Sequence, residues 1–454
     1  MSHRDHRGVE IRIPAHLLGP LLEGIAWTKT REAVIFGLVT HTELKSRTVL
    51  LLRDLIALPA AAYIPMTGHG AAWSGAAMLP VMNAAIGAKC GIVAFHSHPH
   101  AGPVSLSGDD LQSAARLLPA FEQLIPSRPH GSVVLGSSHV AGLVAVPGEP
   151  DLVPKVRMRL LGQQISDMPS SEWPGPVYRM DGTFARQALL TGEQGEAKIR
   201  EARVAVVGLS GGGSHVVQQL AHMGIGEIIG IDAGRAKLSH RARVIGLTRL
   251  DAIRRRRKTA IMHRLVRNIS RKVTFTGITH MIPGQPAINA LKEADVVVGC
   301  VDSYHVRADL QDLCARFLIP YVDIGLLIRP VESGEGVTIG GNVITSIPGR
   351  FCLWCIEFLD QEKLDAETNS RSRSYFEGAD GQAQVISMNG VLASAAVSEI
   401  LGLITGFAPA GGEPTIKKYD GLRGTLQEWV VKPRRPCPAC VNNLGTGEII
   451  WRAG

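Results

Sequence analysis

Three groups of residues in this 454-residue chain carry side chains suited to chemistry. In "AFHSHPHAGPVSLSGDD", His96 and His98 are followed by Ser107 and Asp110. Strand alternation sends both imidazoles to one face, where two nitrogens and a nearby carboxylate could hold zinc with a fourth position open. The same stretch also reads without metal, because Ser107 and Asp110 ahead of "LQSAARLL" form a helix capping pattern. In "VAVVGLSGGGS", Gly208, Gly211 and Gly213 let backbone N–H groups and a helix N-terminus face phosphates. Asp232 closes the next strand, Arg243 follows it, Lys258 opens "KTAIMHRLV", and Asp302 ends the strand in "GCVDSYHVR". The glycines and Asp232 alone would suit an NAD-dependent oxidoreductase. The ordered cations favour ATP, whose triphosphate charge they offset, with a carboxylate for Mg2+. Finally, Cys352-Leu-Trp-Cys355 and Cys437-Pro-Ala-Cys440 are two Cys-x-x-Cys pairs, the pattern of a structural zinc site that ties a late segment back to the sheet.

Elements must position these groups. Over residues 1–150, "AVIFGLVTHT", "RTVLLLRDLIAL" and "GIVAFHSH" read as strands and "DDLQSAARLLPAFEQL" as an amphipathic helix. "GSVVLG" and "AGLVAV" close an α/β domain. The Pro-rich stretches "VPGEPDLVP" and "DMPSSEWPGPVYRMDG" suggest a linker over 151–177. From 178 to 454, the strands "RVAVVG", "EIIGID", "VTFTGI", "ADVVVGCVD" and "PYVDIGLL" alternate with helices, which argues for a doubly wound, largely parallel sheet.

Composition is that of a globular chain with a sizeable core: 45% hydrophobic and 19% charged. The net charge of +8 gathers in short runs at 254–258 and 432–435 and around Arg371, and aromatics are only 5%. A solvated basic face fits that pattern better than specific nucleic-acid binding. "MSHRDHRG" has no apolar signal-peptide core, and the apolar stretch 390–407 is interrupted by Ser394, Ser398 and Glu399, so no membrane partner is expected. Seven cysteines with two Cys-x-x-Cys pairs point to a reducing, cytoplasmic setting.

His-Ser-His-Pro followed by Ser-x-x-Asp, with Glu32 and Gly37 upstream in "REAVIFGL", resembles the JAMM (JAB/MPN) metalloproteases. That family cleaves ubiquitin-like proteins from their conjugates or trims their C-termini. The resemblance implies a catalytic Zn2+ on His96, His98 and Asp110, Glu32 as general base toward water, and Ser107 stabilising the tetrahedral oxyanion. Eight residues, 99–106, separate His98 from Ser107, where the family usually has seven.

Residues 178–442 resemble the ubiquitin-activating superfamily of adenylating enzymes in its ThiF/MoeB form. The likeness rests on "FARQALLTGEQGEAKIREARVAVVG", "GEIIGID", the lysine helix, "CVDSYHVR" and "NGVLASAAVSEILGLITG". Together the two resemblances imply a JAB/MPN-type α/β domain followed by a Rossmann-like doubly wound adenylation domain with a structural Zn2+ on Cys352, Cys355, Cys437 and Cys440. Arg186 would reach ATP across a homodimer interface, Asp232 would bind ribose, Arg243 and Lys258 the phosphates, and Asp302 Mg2+. Ser210, Gly234 and His240 depart from the family pattern, which has a second loop glycine, a second aspartate and an asparagine there. Residues 356–386 contain no cysteine for a thioester, while Cys300 and Cys314 read as core.

The implied function is a bifunctional enzyme acting on the C-terminus of a ubiquitin-like or sulfur-carrier β-grasp protein. It would combine zinc isopeptidase or tail-processing activity with ATP-dependent adenylation, and a conjugating enzyme or sulfur donor would be a further partner. One alternative keeps adenylation with a non-catalytic JAB-like tail-binding domain. The other is an NAD-dependent oxidoreductase with a metal-binding accessory domain.

Overall fold

Val-, Ile- and Leu-rich runs recur along the chain, and in the computed structural model they build two eight-stranded sheets. The structure describes residues 8–26, 32–64, 71–98, 103–175, 182–330, 336–374, 383–407 and 414–447. One unit comprises Met1–Gly175 with Arg316–Leu318 and Asn443–Gly454, and the other comprises Pro176–Ala315 and Ile319–Asn442.

In the first unit the strands are β1 (Gly8–Ile13), β2 (Val34–Glu43), β3 (Arg47–Ala57), β4 (Gly91–Ser97), β5 (His130–Leu135), β6 (Val140–Ala145), β7 (Val156–Leu161) and β8 (Ile165–Pro169). They lie in the order β8-β7-β1-β3-β2-β4-β5-β6. Alternation divides each strand between two cores. Ile35, Val93 and Phe95 join Leu17 and Leu21 of α1 (Ala15–Gly24) on one face. Val34, Phe36, Ile92 and Ala94 join Val81 of α2 (Leu79–Ala88) and Leu118 and Phe121 of α3 (Gly108–Leu124) on the other. By parity His96 follows Ala94 toward the face that α3 covers. Gly37 sits where β2 is squeezed between its neighbours: a Cβ there would lie 2.6 Å from Leu52 and 2.7 Å from Phe95.

The expected linker is a correction. Within 151–177, β7 pairs parallel to β1 and β8 pairs antiparallel to β7, so the segment extends the first sheet. Proline was a misleading signal, because Pro169 ends an edge strand, where a missing ladder donor costs nothing.

The second unit contains β9 (Arg203–Val207), β10 (Glu227–Ile231), β11 (Thr274–Ile278), β12 (Val296–Gly299), β13 (Tyr321–Pro330), β14 (Val337–Ser346), β15 (Thr415–Asp420) and β16 (Thr425–Val430). Their order is β11-β10-β9-β12-β13-β14-β15-β16. The first five are parallel and the rest continue antiparallel. Strand order reverses between β9 and β12, the switch point at which doubly wound sheets open a crevice beyond their carboxyl ends. The principal helices are α4 (Ala185–Glu201), α5 (Gly211–Met223), α6 (Lys258–Ile269), α7 (Gln285–Lys292), α8 (Tyr304–Arg316), α9 (Gln361–Ser374) and α10 (Ile386–Thr405). By length and composition α10 could cross a membrane. Instead Leu392, Ala393, Ala396 and Ile400 are buried as it packs on α5 and β13.

Candidate functional site

The sequence of the first unit brings its titratable residues together at one end of β4. His96 is the penultimate strand residue and His98 follows its end. β2 and β4 pair antiparallel with Val34 opposite His96, and continuing that register sets Glu32 opposite His98. Glu32 Oε1 lies 4.0 Å from His98 Nε2. α3 brings Asp110, with Oδ1 2.9 Å from His96 Nε2 and Oδ2 3.4 Å from His98 Nε2. Ser107 caps α3: its backbone N–H and its hydroxyl each donate to Asp110 Oδ2 at 2.7 Å, and it accepts from the Asp110 N–H at 3.1 Å. The cap and the histidine cluster therefore share one carboxylate. Burial opposes ionisation of Asp110, but His96 and Ser107 outweigh it and hold the carboxyl well below the usual carboxylate range. Donor atoms of Glu32, His96 and His98 lie within 4.8 Å of one another, a nitrogen and oxygen set that fits zinc. Of the loop 99–106, residues 99–102 lie outside the described residues.

In the second unit the glycine turn opens onto the switch point. Gly208 follows β9 with φ +89°, and a Cβ there would collide with the Cys300 carbonyl. A Cβ on Gly213 would collide with the carbonyl of Gly208, so two of the three glycines let α5 and β12 approach the turn. Ser210, Gly211, Gly212, Arg243 and Asp302 line one cleft. Beside it, Asp232 Oδ2 accepts from the Leu209 N–H at 2.8 Å and from Lys258 Nζ at 3.1 Å, while Oδ1 accepts from the Gly234 N–H at 2.6 Å. Gly234 thus leaves the position of the second aspartate without a carboxylate, while its backbone N–H orients Asp232. Buried His240 accepts from the Lys237 N–H at Nδ1, 3.2 Å away. Burial, with Lys258, Arg243 and Lys237 nearby, pushes its pKa down to about 4. Arg186 is exposed in the first turn of α4 and is absent from the cleft's lining.

Several residues of this cleft escaped sequence reasoning. Asn389 of α10 is buried against Gly211, where a Cβ would lie 2.7 Å from its Nδ2, and it donates to Gln384 Oε1 at 3.0 Å. Its signal is an asparagine in the first turn of a mostly apolar helix. Arg307 abuts the cleft-lining Gly325, pairs with fully buried Asp323 at 3.2 Å, and shares that carboxylate with the Tyr321 hydroxyl at 2.8 Å. Cys300, expected in the core, lies just past the end of β12 and lines the cleft, whereas Cys314 is buried as expected.

The two cysteine pairs meet. Sulfurs of Cys352, Cys355, Cys437 and Cys440 lie within 4.8 Å of one another, with Cys352 Sγ 3.7 Å from Cys437 Sγ. Hydrogen bonding from Cys352 and Cys440 lowers the pKa of Cys355, while the thiols of Cys352 and Cys440 are pushed up. Four converging sulfurs of this kind fit a tetrahedral Zn2+.

The ThiF family model matches residues 184–440. The sulfur carrier protein ThiS adenylyltransferase of Escherichia coli (strain K12) is 23% identical over 264 residues, covering 57% of this chain and 94% of that protein. The adenylyltransferase and sulfurtransferase MOCS3 of Sus scrofa is 25% identical over 261 residues, covering 57% of this chain and 52% of that protein. This chain therefore spans about half the length of MOCS3. A crystal structure of E. coli MccB with ATP superposes with a TM-score of 0.47 and 20% identity, covering 57% of this chain and 75% of that one. The family match lies wholly beyond Gly175, so the reading of the first unit rests on its own geometry.

Proposed function

The chain belongs to the ThiF family, and from that membership we propose that its second unit adenylates the C-terminal carboxylate of a ubiquitin-like or sulfur-carrier β-grasp protein. The tail carboxylate attacks the α-phosphorus of ATP, the bond to the bridging oxygen breaks, and pyrophosphate leaves an acyl-adenylate behind. The observation that carries this reading is the cleft at the switch point, where the glycine turn, Arg243 and Asp302 face one space beside Asp232 and Lys258. Arg243 in the cleft and Lys258 beside it offset phosphate charge, and Asp232 takes the ribose hydroxyls. Asp302 would hold Mg2+, which there supplies charge compensation for the departing pyrophosphate.

The finer proposal gives the first unit zinc isopeptidase or tail-trimming activity on the same partner. His96, His98 and Asp110 would hold the ion, which supplies Lewis acidity when bound. Glu32 takes a proton from the attacking water and returns it to the leaving amine, and the Ser107 hydroxyl turns toward the developing oxyanion. Arg186 would serve the nucleotide of a partner copy in a homodimer, and a sulfur donor or conjugating enzyme would take the acyl group. A cytoplasmic setting would keep the four-cysteine site reduced. The eight-residue spacing between His98 and Ser107 favours a second reading, in which the first unit binds the tail without cutting it.

The test is ATP–pyrophosphate exchange with a panel of small β-grasp proteins ending in glycine. Exchange is expected only with a partner present, and Asp302→Ala should abolish it. Glu32→Gln should leave exchange intact and abolish removal of a C-terminal extension from the partner. No exchange across the panel would reject adenylation, whereas exchange without any wild-type cleavage would favour the tail-binding reading.

A further inference from the structure

Among the described residues, strand β16 ends the second sheet and pairs on one side only, with β15. Its residues are exposed from Leu426 to Val430, with Trp429 at 50% and Val430 at 58%, and Leu422 in the preceding turn is 65% exposed. Sheet edges present unpaired N–H and C=O groups that template a further strand, and proteins usually blunt them with proline, charge or a covering element. Here the strand has no proline and one charged residue, Glu428. Lys418 Nζ sits 4.0 Å from the centre of the Trp429 ring, placing a cation on an exposed aromatic face at that edge.

Charge selects the occupant. Residues 415–435 carry Lys417, Lys418, Arg423, Lys432, Arg434 and Arg435 against Asp420 and Glu428, which is half of the net +8 of the chain. Lys417 is engaged by Glu399 and Arg434 by Glu357, each at 2.5 Å, while Lys418 and Lys432 remain exposed. A second copy would bring the same excess of positive charge against its own, which opposes edge-to-edge pairing of this chain with itself. The unpaired backbone row favours a strand over a nucleic acid, whose phosphates would use the cations and leave those groups unmatched. We propose that β16 is a docking edge that accepts an extended strand of an acidic partner protein, with Trp429 as its apolar anchor and Lys418 and Lys432 facing the partner's carboxylates. This surface lies outside the nucleotide cleft and does not depend on the adenylation reading.

The test titrates the full-length chain into fluorescein-labelled Glu-Val-Glu-Val-Glu-Val, Lys-Val-Lys-Val-Lys-Val and a short single-stranded DNA, following anisotropy. The acidic peptide should bind at least about tenfold more tightly than the lysine peptide, and more weakly as salt rises. Trp429→Ala and, independently, the exposed Lys418→Glu should each weaken it about tenfold with an unchanged thermal midpoint. Equal binding of both peptides, preference for DNA, or unaltered binding by either variant would overturn the proposal. So would concentration-dependent self-association abolished by Trp429→Ala.

Discussion

At the scale of single residues, His240 shows how a departure from a family pattern becomes a physical property. It stands where the resembled family has asparagine, and its ring is buried beside Lys258 and Arg243. Burial and those two cations favour the neutral form, with a pKa of about 4 against roughly 6.5 for an unfolded histidine. As pH falls below 6.5 the unfolded chain gains a proton before the folded one does, so stability falls. This contribution is intact above about 6.5 and lost by about 4. His240→Asn should flatten the difference, so scanning calorimetry from pH 7 to 4 should show a shallower decline for the variant. Parallel curves would mean that His240 does not titrate as its surroundings require. The candidate residues were legible here because histidine pairs, glycine runs and Cys-x-x-Cys pairs are local signals. Arg307 with Asp323, and Asn389 against Gly211, were not, since each pair joins distant segments.

At the scale of elements, the turn from β9 into α5 depends on close approach more than on flexibility. Gly208 combines a positive φ with a carbonyl where its Cβ would be, so Gly208→Ala should cost at least about 1 kcal/mol in denaturant unfolding, and more if the neighbours cannot yield. An unchanged midpoint with wild-type slope would contradict the contact. α3 illustrates a second economy: one capping box starts the helix and fixes the carboxylate that meets His96 and His98. The capping pattern and the metal pattern in 96–110 are rival readings of the same letters; the fold forms the capping box and sets its carboxylate beside both histidines. The linker reading failed because proline marks a turn and the end of an edge strand equally well, and only pairing with β1 separates them.

At the scale of the whole molecule, two clusters among the described residues could hold a metal ion, one of nitrogen and oxygen donors in the first unit and one of four sulfurs in the second. Metal analysis of the purified chain should give two zinc ions per polypeptide. His98→Ala should remove one and Cys437→Ser the other, each without loss of its counterpart. A single ion in the wild type, removed by Cys437→Ser alone, would deny the first unit a metal. The ThiF match beginning at residue 184 explains why the second unit was the more readable: its order of strand, glycine turn, acid, cation and acid is spread along one regular alternation of strands and helices.

Alternation and glycine placement, together with residue chemistry, were enough to establish a doubly wound second half, an α/β first half and three candidate ligand sets. These depend on neighbours within a few residues, where period and sterics act directly. Tertiary structure alone decided that Glu32 faces His98, which follows from the register of β2 on β4. It also brought together sulfurs 85 residues apart, made sheet of 156–169, and set exposed β16 at the edge of the second sheet among the described residues. Those outcomes turn on which distant apolar faces are buried against each other, a choice that no local pattern encodes.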